Sequence, residues 1–191
     1  MRAATTLWEF LGLARSEGRQ KRPRAEWLTA ETESVRKIVE VLGDMEPARA
    51  RYLAAFAYLL SRVARADLST SAEETREMER IVSERGGLPP DQAALVIEIA
   101  KNQNQLFGAT ENFLVAREFE RIATQEQRIA LLYCLYAVAS SDKSVSSTED
   151  HEIRLIAREL KLDHRDYINV RLAFREHLSV LKTLPGGKTQ G

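Results

Sequence analysis

LLSRVARADLSTSAEETREMERIV, residues 59–82, and CLYAVASSDKSVSSTEDHEIRLIA, residues 134–157, align without a gap at a constant offset of 75 residues. Val63 answers Val138, Ala64 answers Ala139 and Asp67 answers Asp142. Ser69 and Ser71 answer Ser144 and Ser146, Glu74 and Glu77 answer Glu149 and Glu152, and Ile81 answers Ile156. Each copy passes from an apolar helix, through an aspartate and a serine-bearing turn, into a helix that opens with Glu-x-x-Glu. A gap-free helix–turn–helix repeat predicts two pseudo-equivalent hairpins packed about an approximate two-fold axis, each burying the other's apolar face.

Outward from the repeat, apolar residues recur at spacings of three and four, and no stretch alternates with period two for long enough to form a strand. Residues 47–66 and 125–141 read as central helices, apolar over most of their circumference, with Pro47 suited to a first helical turn. Residues 72–85 and 147–160 read as the amphipathic second arms, the first ended by Gly86-Gly87. Pro89-Pro90 opens a helix towards Phe107, stopped by Gly108, and a shorter helix spans 110–122. Before the repeat, 26–42 is helical with Gly43 as its stop; after it, Asp163 caps a last helix reaching Leu181. The fold class is all-α, a bundle of about seven to eight helices with two pseudo-symmetric hairpins. Phe56, Leu60, Val63, Ile81, Leu135, Val138 and Ile156 are expected to be buried together. Residues 26–182 form the helical domain, 1–25 a basic and partly apolar segment with linker, and 183–191 a tail.

Lys plus Arg is 28 and Asp plus Glu is 28, so the basic excess typical of a nucleic-acid binder is absent and no such partner is expected. The lone Cys134 excludes an intrachain disulfide and a multi-cysteine zinc site, and its apolar setting marks it as a core residue. No run approaches the ~20 apolar residues of a membrane span, and Glu9 interrupts the N-terminal apolar stretch, so a cytoplasmic location is expected. Residues 1–24 nevertheless carry six Arg/Lys against two Glu. Residues 5–24 therefore read either as a weak contact with an anionic membrane surface or as a short helix (5–15) docking on the domain, followed by a solvated linker.

The repeated turns hold the residues with most chemistry. Asp67 ends one helix, and Glu74 and Glu77 stand three apart on the next, hence on one face; Asp142, Glu149 and Glu152 repeat the set. Carboxylates from two adjacent elements suit a hard divalent cation, Ca²⁺ or Mg²⁺ before Zn²⁺. The same letters also have a purely structural reading. Ser71-x-x-Glu74 and Ser146-x-x-Glu149 are capping boxes, and acids in a first turn complement the helix dipole. Glu77 and Glu152 lie a turn beyond either cap. Elsewhere, His151-Glu152 lacks the second histidine of a zincin motif, and the GGKT near the C-terminus has Lys182 where a phosphate loop needs glycine. No nucleophile, base and orienting acid share a motif spacing, so no enzymatic activity is expected.

The pattern Val-Ala-x-x-Asp-x-x-(Val/Thr)-Ser-x-x-Glu resembles the signature of the TerB-like family, named for tellurite resistance and also found at the front of DjlA-type co-chaperones. The resemblance covers residues 30–181 and is best carried by AVASSDKSVSSTEDHEIRLIARELKL, residues 137–162. It implies an all-helical bundle, a stress-related role and metal binding at the acidic positions. Where the family usually has glycine after the aspartate, this chain has Leu68 and Lys143. No His-Pro-Asp tripeptide is present, so no J-domain accompanies the resemblance. The resulting expectation is a non-enzymatic interaction or scaffold module with a protein partner and weak divalent-cation binding at the two turns. A metal-dependent enzyme using carboxylates from both repeats is the alternative.

Overall fold

The computed structural model describes residues 38, 40–63, 72–102, 112–141 and 144–179. The expected 5–15 helix, the linker, the tail, Asp67, Ser71 and Asp142 lie outside these residues. Seven helices are labelled in chain order: α1 (Pro47–Val63), α2 (Ala72–Gly86), α3 (Pro90–Lys101), α4 (Asn112–Ile122), α5 (Gln125–Ala139), α6 (Ser147–Glu159) and α7 (His164–Ala173). Among the described residues there is no strand beyond one isolated bridge. The chain is therefore all-α, as its periodicity predicts.

α1 is buried over most of its length: Tyr52 to Ser61 are all buried. Three alanines in that stretch let neighbours approach the backbone closely, and α3, α4, α5 and α6 all pack on it. The buried Ser61 turns its hydroxyl back to donate to the Tyr58 carbonyl at 2.6 Å. Tyr52 and Phe119 stack with centroids 5.3 Å apart, and Phe56 meets Phe119 edge-on at 6.1 Å, locking α1 to α4. α5 is started by a capping box: the Gln127 amide donates to Thr124 Oγ1, and the Thr124 amide donates to Gln127 Oε1.

The two halves exchange arms as the repeat requires. α1 packs on α5, α2 packs on α5, and α6 packs on α1. The buried faces obey the same offset: Met78 and Val82 on α2 correspond to Ile153 and Ala157 on α6. α2 also ends tightly, because a Cβ on Gly86 would lie 3.3 Å from Phe56 and 3.4 Å from the Cys134 sulfur. Gly87 follows at φ +65°, the left-handed turn that closes the helix.

Four local expectations need correction. Ile81 is only half-buried, because Met78 and Val82 point α2 into the core; the other six residues of the expected core group are buried. The helical turn at 40–44 runs through Gly43 rather than stopping there. α3 closes at Asn102, whose side chain and amide both donate to the Glu98 carbonyl, short of Phe107. The helix opened at Asp163 ends at Ala173 rather than near Leu181. Phe174 stacks on Tyr136 at 5.5 Å, tight turns follow, and the Val145 amide donates to the His177 carbonyl while the Ser179 amide donates to the Val145 carbonyl. This clasp buries Val145 and Leu178, a gain that further helix would have forfeited.

Candidate functional site

The second acidic turn is built from the clasp outward. Pairing of Val145 with the C-terminal segment presents Ser146 as the N-cap of α6, with extended φ −67° and ψ 159°. Its hydroxyl accepts from the Glu149 amide at 3.2 Å, and the Glu149 carboxylate accepts from the Ser146 amide at 2.7 Å. The capping box is thus formed, and Glu149 is engaged in it. One residue on, Asp150 accepts the Tyr136 hydroxyl at 2.8 Å and a two-pronged grip from Arg171, with Nε and Nη2 both at 2.9 Å. Burial opposes the Asp150 charge, but Arg171 and Tyr136 outweigh it and hold the carboxyl below its ordinary range. Burial pushes the Tyr136 hydroxyl upward, aided by Tyr167 and Asp150, so it serves as a donor throughout the physiological range.

Glu152 faces α1. Arg62, whose side chain is only 6% exposed, donates from Nε to Glu152 at 2.9 Å and from Nη1 to Glu159 at 2.6 Å. One guanidinium therefore spans two carboxylates seven residues apart on α6. Burial works against the Arg62 cation, yet Glu159 and Glu152 more than compensate and raise its affinity for the proton.

The first acidic turn differs. Glu74 stands exposed in the first turn of α2, and Glu77 and Glu84 both pair with Arg80 on their own helix, each at 2.6 Å. The Arg80 hydrogen bond lowers the Glu77 carboxyl from its ordinary range. Glu77 and Glu84 correspond to Glu152 and Glu159 by the repeat offset, whereas the partner of Arg62 by the same offset is Ala137. Of the six expected ligands, Glu74, Glu77, Glu149 and Glu152 are thus placed, the last three on known partners, and Asp67 and Asp142 lie outside the described residues. Among the described residues no three His, Cys, Asp or Glu side chains come together as a metal-holding group.

A sequence profile described as Tellurite resistance protein TerB matches residues 53–172. The chain belongs to the TerB family. The match runs from α1 into α7 and so takes in both acidic hairpins of the TerB domain. No curated protein and no solved structure gives a match.

Two features of this TerB domain escape motif reading: the Arg62 clamp and the Tyr136–Asp150–Arg171 network. The second glutamate of the clamp had a signal in the sequence, because Glu84 and Glu159 also share the repeat offset. The arginine had none, since its counterpart is alanine. Cys134, in contrast, sits where composition predicts. It is fully buried, and burial pushes its thiol up to about 12, which keeps it protonated as a core atom. Among the described residues no helix is long and apolar enough to cross a membrane.

Proposed function

We propose that this TerB-family chain acts by binding rather than by catalysis, as a cytoplasmic interaction or scaffold module in a tellurite-related stress response. Weak divalent-cation binding at the acidic turns is part of the proposal, with Ca²⁺ or Mg²⁺ preferred over Zn²⁺ because the donors are carboxylates. The observation that carries the reading is the family match over both hairpins, coupled to the repetition of aspartate and glutamate at the 75-residue offset. The candidate ligands are Asp67, Glu74 and Glu77 in the first turn and Asp142, Glu149 and Glu152 in the second. In the second turn Glu149 is shared with a helix cap and Glu152 with Arg62, so a cation there competes with existing bonds. The partner is taken to be a protein, with residues 5–24 as a further contact to an anionic membrane surface.

The cation part is tested by the melting temperature of the full chain in millimolar Ca²⁺, Mg²⁺ and Zn²⁺. A bound cation stabilises by about 1.4 kcal/mol at tenfold excess over its Kd, and the effect grows with concentration. The rise is expected for the wild type and is expected to vanish in Glu77→Gln/Glu152→Gln. A melting temperature unchanged by all three metals removes cation binding from the proposal. The scaffold part is tested by recovering complexes from tellurite-treated cells. A protein held by the wild type but lost on Glu77→Lys/Glu84→Lys supports it, and identical recovery by both overturns the role of this face.

A further inference from the structure

A groove of about 760 Å³ runs between α6 and α7, away from the Arg62 clamp. Its wall on α6 carries Arg154 and Arg158, four residues apart and hence neighbours on one helix face. Its floor is Leu162, Tyr167 and Ile168. Asp150 is the carboxylate that lines it, and that charge is already consumed by Arg171 and Tyr136. Arg154 reaches only the His151 ring, at 3.5 Å, and among the described residues no carboxylate lies within ion-pairing distance of Arg154 or Arg158. Arg62, Arg80, Arg121, Arg128 and Arg171 each hold a carboxylate, and Arg49 and Arg85 lie over tyrosine rings; Arg154 and Arg158 instead stand together on the wall of this groove.

Two guanidinium groups one turn apart repel each other, and a helix normally places an acid beside them. Here the nearest acid, Asp150, stands one turn from Arg154 but is gripped by Arg171 and Tyr136, and the space beside the two arginines opens above an apolar floor. We propose that this groove binds an organic phosphate, its phosphoryl oxygens bridging Arg154 and Arg158 and its organic part lying on Leu162, Tyr167 and Ile168. A tetrahedral dianion offers oxygens to both planar forks at once, which a single carboxylate does less well. The apolar floor gives the organic part a surface on which water is displaced. The phosphate could belong to a free metabolite or to a lipid headgroup; the chemistry of recognition is shared.

Phenyl phosphate and inorganic phosphate are the probes, titrated into the full chain with backbone amide shifts as the readout. Phenyl phosphate is expected to shift the amides of residues 151–168 and to saturate at lower concentration than inorganic phosphate. Arg154→Gln/Arg158→Gln is expected to weaken phenyl phosphate by about tenfold or more, since two charge-assisted contacts are removed. Its melting temperature should stay the same or rise, as a like-charge pair is relieved. Arg165→Gln, an exposed position on α7 outside the groove, should leave binding unchanged. Ile168→Ala should narrow the gap between the two probes. Sedimentation with phosphatidylcholine vesicles containing phosphatidic acid, lost in the double variant, assigns the phosphate to a lipid; phenyl phosphate binding without that sedimentation assigns it to a free compound. Absence of shifts at millimolar phenyl phosphate, or shifts that persist unchanged in the double variant, overturns the proposal.

Discussion

Arg62→Met tests how the two hairpins are fastened across the pseudo-two-fold. Arg62 is 6% exposed, while Glu152 and Glu159 are 28% and 23% exposed. Removing one partner of a fully buried pair costs about 3–5 kcal/mol, whereas an exposed pair is worth about 0–1 kcal/mol. The carboxylates here reach water and can partly rehydrate once the guanidinium is gone, which places the loss at about 2–3 kcal/mol. Methionine keeps most of the apolar stem, so little of that figure comes from lost packing. For a chain of this size about 2–4 °C accompanies each kcal/mol, giving a fall in melting temperature of about 4–12 °C. Urea unfolding should show the same loss as a lower midpoint with an unchanged slope. Adding Glu152→Gln and Glu159→Gln to the methionine variant should restore part of the loss, because two facing carboxylates no longer repel. A cost under about 0.5 kcal/mol, the range of ordinary surface substitutions, would refute the fastening argument, as would a triple variant less stable than the single one.

Leu135→Ala should cost about 2–5 kcal/mol in the same unfolding assay, since Leu135 is fully buried; a surface-like loss would contradict the central place of α5. Asp150 has its carboxyl held below the unfolded value of about 3.9, so its contribution is present above that value and is lost as pH falls through the lowered folded value. Asp150→Asn should therefore be less stable than the wild type at neutral pH and should show a shallower loss of stability on acidification; parallel curves would show that Asp150 does not drive the acid limb. Ala137→Arg should give a melting temperature above that of Ala137→Met, because only the arginine can reach Glu77 and Glu84 as Arg62 reaches their counterparts; the reverse order would mean that the repeat does not extend to this geometry.

The fold was legible because its signals are local and redundant. The 47–66 and 125–141 stretches are apolar over most of their circumference, and Gly86-Gly87 and Pro89-Pro90 punctuate α2 and α3 where the chain does turn. The Ser146–Glu149 box was equally legible, since both partners lie within one turn. The Asp163 cap was half right: it precedes α7, but its side chain makes no capping bond. What was not legible depends on residues far apart in the chain. Arg62 meets Glu152 across 90 positions, Arg171 meets Asp150 across 21, and Val145 meets His177 only after α7 has turned back. The early end of α7 belongs to the same class, because burial of Leu178 and stacking of Phe174 overrode a helical pattern that continued in the sequence.

The two halves of the domain share a backbone plan and differ in what their acids are free to do. In the second half the glutamate pair lies under a nearly buried arginine from the other hairpin, and Glu149 and Asp150 are engaged in the neighbouring cap and in the Tyr136–Arg171 network. Those charges hold helices together. In the first half alanine stands where the arginine would be, and Glu77 and Glu84 stay at the surface, 53% and 57% exposed, paired with Arg80 on their own helix. A pair exposed to that degree contributes little to stability. Lys143 adds a positive charge beside the second turn, while Leu68 adds none beside the first. The internal repeat carries both glutamate pairs, and the difference at a single position, Arg62 against Ala137, separates a pair clamped from the other hairpin from a pair exposed on its own helix.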